Sequence, residues 1–204
     1  MPEAPPPLGL PLGTPVLTPT GEVAVEALVP GMLVLAVGGG AAPFQSVVEL
    51  RRVLLPGPFV RLRAGALADG SPHDDLVLPP GHAVLLDGTL VTVGDLADDR
   101  GILVEAGAAL AAVQIVLAGH DAVLACGAAV ETAPPEPGSS PCAPRCPPDA
   151  TLRALLAWRA EAMGWSPPTA PTAPSLEVGS FRARLAASPL TPAAVPSLPI
   201  KPTR

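Results

Sequence analysis

Short runs of aliphatic residues, each closed by glycine or proline, most constrain the fold of this chain. TPVLT (14–18), LVLAV (33–37) and FVRLRAGAL (59–67) are examples, and the third alternates between apolar residues and arginines. Runs of this length, rich in Val and Leu and bounded by turn residues, predict strands. Aromatic residues make up only 2% of the sequence and tyrosine is absent, so Val, Leu, Ile and Ala must form the core. We therefore expect a mainly β domain.

Turn signals organise the central strands. HAVLLDGTLVTVGDL (82–96) predicts a hairpin around Asp87-Gly88, which is a strong two-residue turn signal. Residues 111–126 predict two strands around Gly119-His120-Asp121, and residues 44–55 read as one long strand. The stretches 20–35 and 87–104 share one order of features: a turn glycine, a strand, a segment that ends in leucine, and another strand. This shared order weakly indicates a duplicated β unit.

Residues 101–119 are apolar and long enough to be considered as a membrane span. Glu105 and Gln114 interrupt the stretch, however, and His120-Asp121 follow it immediately. Two buried strands joined by turns explain it better, so we expect no membrane span.

Proline marks the ends of the folded region. Seven of the thirty prolines lie in the first 20 residues and sixteen lie beyond residue 133. We predict a proline-rich N-terminal segment (1–8), a β domain (9–132), a proline-rich linker (133–148), a helix (149–165) and a disordered Pro/Ala-rich tail (166–204).

The predicted helix has recognisable ends. Asp149 can cap its N-terminus and Gly164 can close it, while Arg153 and Arg159 are placed to reach water. Its apolar residues are expected to share one face: Leu152, Leu155, Leu156 and Met163.

Charge argues against nucleic acid as a partner. The net charge is −6, and Lys201 is the single lysine. Binding to phosphates needs clustered Lys and Arg, which the sequence lacks. The N-terminus has no positive region followed by an apolar one, so we expect no signal peptide and a cytoplasmic location, with non-classical secretion left open.

No cofactor or metal site is predicted. His73 with Asp74-Asp75, and Cys142 with Cys146, lack the further ligands that a zinc site needs. The glycines at 38–40 are not followed by Lys-Ser/Thr, as a phosphate loop would be. Cys126 is expected to be a small buried hydrophobe, Asp75 to have a structural role, and no disulfide is expected without an oxidising compartment.

Three segments in order resemble one family. GTPVLTPTGEVAVEALVPGMLVLAV (13–37) resembles the opening of Hint domains, the fold shared by the Hedgehog autoprocessing region and inteins, with Met32 in place of the usual Asp. VRLRAGALADGSPHDDLVLPPGHAVLLDGTLV (60–91) and VQIVLAGHDAVLACGAAVET (113–132) are similar to the histidine block and the closing block of a bacterial Hint subgroup. The resemblance covers about residues 9–132 and implies a Hint-like β fold.

The resemblance also implies a chemistry. In Hint domains the first-position thiol or hydroxyl attacks the preceding carbonyl, and a histidine in a Thr/Ser-x-x-His motif assists. His82 matches that histidine, but Pro79 replaces the Thr/Ser and the nucleophile position falls on Gly9. His120 resembles the closing-block histidine, while the terminal His-Asn of splicing inteins is missing near Glu131-Thr132.

These departures lead to two functional hypotheses. The favoured one is a degenerate Hint-type protein, not an enzyme, that acts as a binding or scaffold module for an unidentified protein partner. Under this favoured hypothesis, His82 is a structural remnant near a strand end. His120 is a structural remnant in a turn. The alternative is an active autoprocessing domain that uses a non-standard nucleophile.

Overall fold

The computed structural model describes residues 8–38 and 43–167, and strands account for most of the regular structure in these ranges. Two single 3₁₀ turns, Val25–Ala27 and Val93–Leu96, and one helix, α1 (Ala150–Ala162), complete the described elements. The strands are β1 (Leu10–Pro11), β2 (Pro15–Thr18), β3 (Gly21–Ala24), β4 (Leu33–Leu35), β5 (Phe44–Ser46), β6 (Glu49–Leu55), β7 (Phe59–Leu62), β8 (Leu76–Leu78), β9 (Ala83–Leu86), β10 (Thr89–Thr92), β11 (Ile102–Glu105), β12 (Leu110–Val116), β13 (Ala122–Ala125) and β14 (Ala128–Glu131).

The strands form four small antiparallel sheets. The largest has the order β10-β9-β14-β13-β2-β3. Two three-stranded sheets have the orders β1-β12-β6 and β11-β7-β8, and β4 pairs with β5. The predicted mainly β fold is confirmed.

Aliphatic side chains fill the core, as the near absence of aromatic residues requires. Leu62, Leu76, Leu78 and Leu117 are among its fully buried side chains. A smaller cluster surrounds Phe59. Branched and small side chains pack well between pleated surfaces, so this composition suits a β core.

Turn chemistry explains the hairpins. Asp87 (φ 46°) and Gly88 (φ 76°) both have positive φ, as a two-residue hairpin turn of type I′ requires, and the predicted hairpin β9–β10 is confirmed. Cys126 (φ 51°) and Gly127 (φ 74°) form a second turn of this kind between β13 and β14. Cys126 is buried as predicted, but it lies at a turn and not within a strand.

Residues 44–55 do not form one strand, so that prediction was wrong. The Val47 N–H donates to the Met32 carbonyl on the β4 side, whereas the Val48 N–H donates to the Val116 carbonyl in β12. The chain therefore changes sheets between Val47 and Val48. An alternation pattern alone does not reveal such a switch, because both halves keep the strand period.

The apolar stretch 101–119 forms β11 and β12, as predicted. Within residues 8–38 and 43–167, no helix is both long enough and apolar enough to cross a membrane. The internal resemblance has a structural counterpart: β3 and β10 are each followed by a 3₁₀ turn, a loop and another strand.

Helix α1 begins as predicted, with the Asp149 carboxylate accepting the Leu152 N–H at 2.7 Å. Its buried face contains Leu156 and Ala160, whereas Leu155 and Met163 are about half exposed, so the predicted four-residue face was only partly right. Arg159 does not reach into water. It donates to the Gly65 carbonyl and pairs with Asp69, which ties the helix to the β domain.

The segment before the helix lies against β10. The Leu90 N–H donates to the Pro144 carbonyl, and the Cys146 N–H donates to the Leu90 carbonyl. This contact brings residues of the predicted linker back over the β domain. The segments predicted over 1–8 and 166–204 fall almost entirely outside the described residues.

Candidate functional site

Gly9 and His82 lie side by side. Gly9 immediately precedes β1, and His82 ends a tight turn after β8 in which its N–H donates to the Pro79 carbonyl at 3.0 Å. Both residues line one cavity of about 10 Å³, the size of roughly one water molecule. The fold thus brings together the two positions that the resemblance singled out.

The His82 ring is buried, with 1% of the residue exposed. Its Nε2 lies 3.0 Å from the Glu131 carbonyl oxygen, which can only accept, so Nε2 carries the proton. Nδ1 finds no hydrogen-bond partner among the described residues. Burial lowers the pKa of His82, and the Glu131 carboxylate and the main chain of Glu131 and Gly9 offset this only in part.

Burial of a neutral histidine predicts acid sensitivity. An unfolded His82 takes up a proton below its ordinary pKa of 6.5, whereas the folded protein resists protonation. The contribution of neutral His82 to stability is therefore complete above pH 6.5 and declines as the pH falls below that value. The free energy of unfolding of His82→Gln, measured with urea, should not show this decline with pH. The control variant His73→Gln, at an exposed site, should still show it. An unchanged decline in His82→Gln would contradict the assignment.

Glu131 is the centre of a buried charged cluster. Its side chain is fully buried; Oε1 accepts the Ala83 N–H at 2.6 Å, and Oε2 pairs with Arg145 and lies 3.5 Å from His120 Nε2. Burial alone would raise the pKa of Glu131, but His120, His82 and Arg145 together hold that pKa below its usual range. The carboxylate therefore joins β14 to β9 and to the returning segment that carries Arg145.

His120 belongs to the same cluster. Its Nδ1 accepts the Cys142 N–H at 3.1 Å, so the ring proton lies on Nε2 and faces Glu131. Only 6% of the His120 side chain is exposed. It is thus a buried partner of Glu131.

Asp121 has a structural role that the sequence did not reveal. Oδ1 accepts the N–H groups of Gly38 (2.6 Å) and Ala122 (2.7 Å), and Oδ2 accepts the side-chain amide of Gln45 (2.6 Å). These bonds fasten β5 and the segment after β4 to the start of β13. The available signal was only an acidic residue at the beginning of an apolar strand.

The backbone at Gly9 is suited to glycine. Its φ is +149°, and a Cβ built there would lie 3.2 Å from Val53 Cγ2 and 3.3 Å from Ala112 Cβ. The preceding carbonyl, of Leu8, accepts the side-chain amide of Gln114 at 2.9 Å. The position therefore has a fixed carbonyl next to it but little space for a side chain.

No thiol or hydroxyl lines the Gly9–His82 cavity within the described part of the chain. The Thr14 hydroxyl instead donates to the Pro11 carbonyl at 2.7 Å. The polar side chains of the lining are those of Gln114, Glu131 and His82. The rest of the lining consists of aliphatic side chains and main chain. Within the described residues, this lining therefore offers no side-chain hydroxyl or thiol to attack the Leu8 carbonyl.

A second arrangement contains a thiol but is poorly suited to attack. Cys126 Sγ lies 4.0 Å from His73 Nδ1, and His73 Nε2 lies 2.7 Å from Glu22. The thiol donates to the Asp74 carbonyl, and burial, with nearby carboxylates, raises the pKa of Cys126. The thiolate is the nucleophilic form, so these surroundings suppress its reactivity. Cys126 lines a different cavity, which shares no lining residue with that of Gly9 and His82.

The remaining candidate residues have structural contacts. The Asp75 carboxylate accepts the Ala64 N–H at 2.9 Å. The three cysteines form no disulfide and are free thiols: Cys126, Cys142 and Cys146. In residues 8–38 and 43–167, no group of three or more His, Cys, Asp or Glu side chains could hold a metal ion.

A larger groove borders the small cavity. Its volume is about 510 Å³, and it shares Leu8, Gln114, Glu131 and Ala133 with the cavity. We call it the outer groove. The returning segment around Pro134–Arg145 forms one wall, so Arg145 contributes both to the charged cluster and to this surface.

Comparisons with known proteins give one family match and several similar structures. The family described as "Hint domain" matches residues 9–137, well over half of the chain. A bacterial intein-like domain from Clostridium thermocellum is 17% identical, with a TM-score of 0.46, over 61% of this chain and 98% of its own. The gp41-1 intein is 18% identical (TM-score 0.45; 62% and 98% covered), and the MchDnaB-1 intein is 18% identical (TM-score 0.44; 61% and 99%). No curated protein matches the sequence.

Proposed function

The chain belongs to the Hint domain family, and we propose that it is a member that does not process itself and serves as a binding or scaffold module. The observation that carries this proposal is the cavity shared by Gly9 and His82, whose described lining contains no thiol or hydroxyl. Acyl transfer in this family needs an attacking heteroatom beside the carbonyl that precedes position 9. Glycine supplies none.

The state of His82 supports the same proposal. Protonating a leaving amide nitrogen requires an acid that holds a proton near neutral pH. Burial lowers the pKa of His82, so the ring is neutral there and its one proton is donated to the Glu131 carbonyl. The imidazole is thus occupied as a structural donor.

The cluster around Glu131 supports a structural role as well. Both carboxylate oxygens are engaged, by the Ala83 N–H and by Arg145 with His120. These contacts fix the segments on either side of the cavity.

Intact-mass spectrometry of the full chain tests the proposal. Samples are held at pH 7 for several days, with and without dithiothreitol, beside His82→Ala. We expect one unchanged mass in all samples. Fragments with ends between residues 8 and 14 that disappear in His82→Ala would instead establish the alternative, an active autoprocessing domain with a non-standard nucleophile.

A further inference from the structure

The described part of the chain begins beside the outer groove, at Leu8. Leu8 lines both the small cavity and the groove, whereas Gly9 lines only the cavity. Going back along the chain from Gly9 to Leu8 therefore leads from the cavity toward the groove. The cavity has a volume of about 10 Å³, which is enough for one water molecule and not for an amino-acid residue, so residues 1–7 must continue on the groove side.

The position of Leu8 at the groove is fixed from both sides. Its carbonyl accepts the side-chain amide of Gln114 at 2.9 Å, and Gln114 also lines the groove. The residues after Gly9 form β1, which pairs with β12. The segment before Leu8 therefore starts at a fixed point of the groove. Because it is tethered there, its effective concentration is on the order of millimolar, which favours it over a separate molecule.

The groove offers mainly apolar contacts. Much of its wall consists of four residues, Ala133, Pro134, Pro137 and Pro141. Every polar side chain of the lining already bonds to a described residue: Arg51 to Glu49, Gln114 to Leu8, His120 to Cys142, Glu131 to Arg145, and Ser139 to Glu136. The two arginines are thus balanced by carboxylates. An occupant with many N–H groups or a charge would leave them without partners, which costs free energy.

The sequence just before Leu8 avoids this cost. Residues 4–7 are Ala-Pro-Pro-Pro, which carry one main-chain N–H and no charged side chain. Consecutive prolines favour the extended polyproline conformation, so such a segment loses little conformational entropy when it binds. Four residues in that conformation span about 12 Å. The groove volume of about 510 Å³ lies within the range of clefts that hold ligands in proteins.

We propose that residues 4–7 of this chain pack in the outer groove and cover its apolar wall. The contact lies within one molecule and adjoins the Leu8–Gly9 bond. It goes beyond the proposed function and does not depend on it. A partner that used this groove would first have to displace the segment.

Nuclear Overhauser effects in the ¹³C,¹⁵N-labelled full chain test this contact directly. We expect cross-peaks between the ring protons of Pro5 or Pro6 and the methyl group of Ala133. A mixture of labelled and unlabelled chains separates contacts within one molecule from contacts between two, and we expect only the former. The intact mass of each sample is recorded as well, so a loss of residues 1–8 by self-processing is distinguished from a failure of the contact.

Two double variants provide a matched comparison. Pro5→Gly with Pro6→Gly removes two apolar rings and loosens the main chain, so it should shift the Ser139 amide signal. Pro171→Gly with Pro174→Gly makes the same change at the other proline-rich end and should leave that signal in place. Dispersed amide spectra of both variants verify that each is folded.

Several outcomes would overturn the inference. One is the absence of cross-peaks between residues 4–7 and the groove in a chain of intact mass. Others are cross-peaks that join the groove to residues 168–204, or cross-peaks that arise only between two molecules. Equal shifts of the Ser139 signal in the two double variants would also overturn it.

Discussion

Glu131→Ala is expected to lower the free energy of unfolding by about 3–5 kcal/mol, the usual cost of removing one member of a buried ion pair. The substitution leaves the Ala83 N–H without its acceptor and leaves Arg145 and His120 facing an empty site. The loss is large because the Glu131 side chain is fully buried. Urea unfolding followed by circular dichroism measures it.

Two variants sharpen this test. Glu131→Gln keeps an oxygen for the Ala83 N–H and removes only the charge, so its loss should be clearly smaller. Glu136→Ala, at an exposed site in the returning segment, should change stability by less than about 0.5 kcal/mol. A loss below about 1 kcal/mol in Glu131→Ala would mean that the cluster does not hold these strands together.

Gly9→Ala is expected to destabilise the protein by about 1–3 kcal/mol, because a side chain there meets both backbone strain and crowding. The φ of +149° is seldom adopted by residues with a Cβ, and Val53 and Ala112 stand 3.2 and 3.3 Å from the added atom. Thermal or urea unfolding measures the loss. The position matched to the family nucleophile thus disfavours any side chain, and not only a reactive one.

Two other glycines separate strain from crowding. Gly13 has a φ of +87° but no atom within 4 Å of an added Cβ, so Gly13→Ala tests strain alone. Gly119 has open space and a φ outside the positive range, so Gly119→Ala should be close to neutral. We expect losses in the order Gly9, Gly13, Gly119. If Gly9→Ala were as stable as Gly119→Ala, the backbone at Gly9 would impose no constraint.

Local sequence signals predicted the local structure well. Asp87-Gly88 forms its hairpin turn because both residues accept positive φ, and Asp149 caps α1 through its carboxylate. The sheet change at Val47–Val48 was not predictable, since its cause is the pairing of β4 and β12 with different parts of one alternating stretch. The Cys126-Gly127 turn was missed because cysteine gives no turn signal.

The site was predictable only where the family resemblance applied. It pointed to Gly9 and His82, which line one cavity. Glu131 and Arg145 were not anticipated as an ion pair, because their contact depends on residues after β14 folding back over the domain. The bonds of the Asp121 carboxylate to Gly38 and Gln45, and the two bonds between the Asp121 main chain and the Thr132 hydroxyl, likewise follow from tertiary structure and not from a repeating pattern.

We expect no acyl transfer at the Leu8–Gly9 bond. Hydroxylamine traps esters and thioesters, and the sequence contains no asparagine, so Asn-Gly cleavage contributes no background. Peptide mapping after prolonged incubation with hydroxylamine at neutral pH should find Leu8 joined to Gly9 and no Leu8 hydroxamate. A Leu8 hydroxamate that accumulates with time, and that His82→Ala abolishes, would contradict the account.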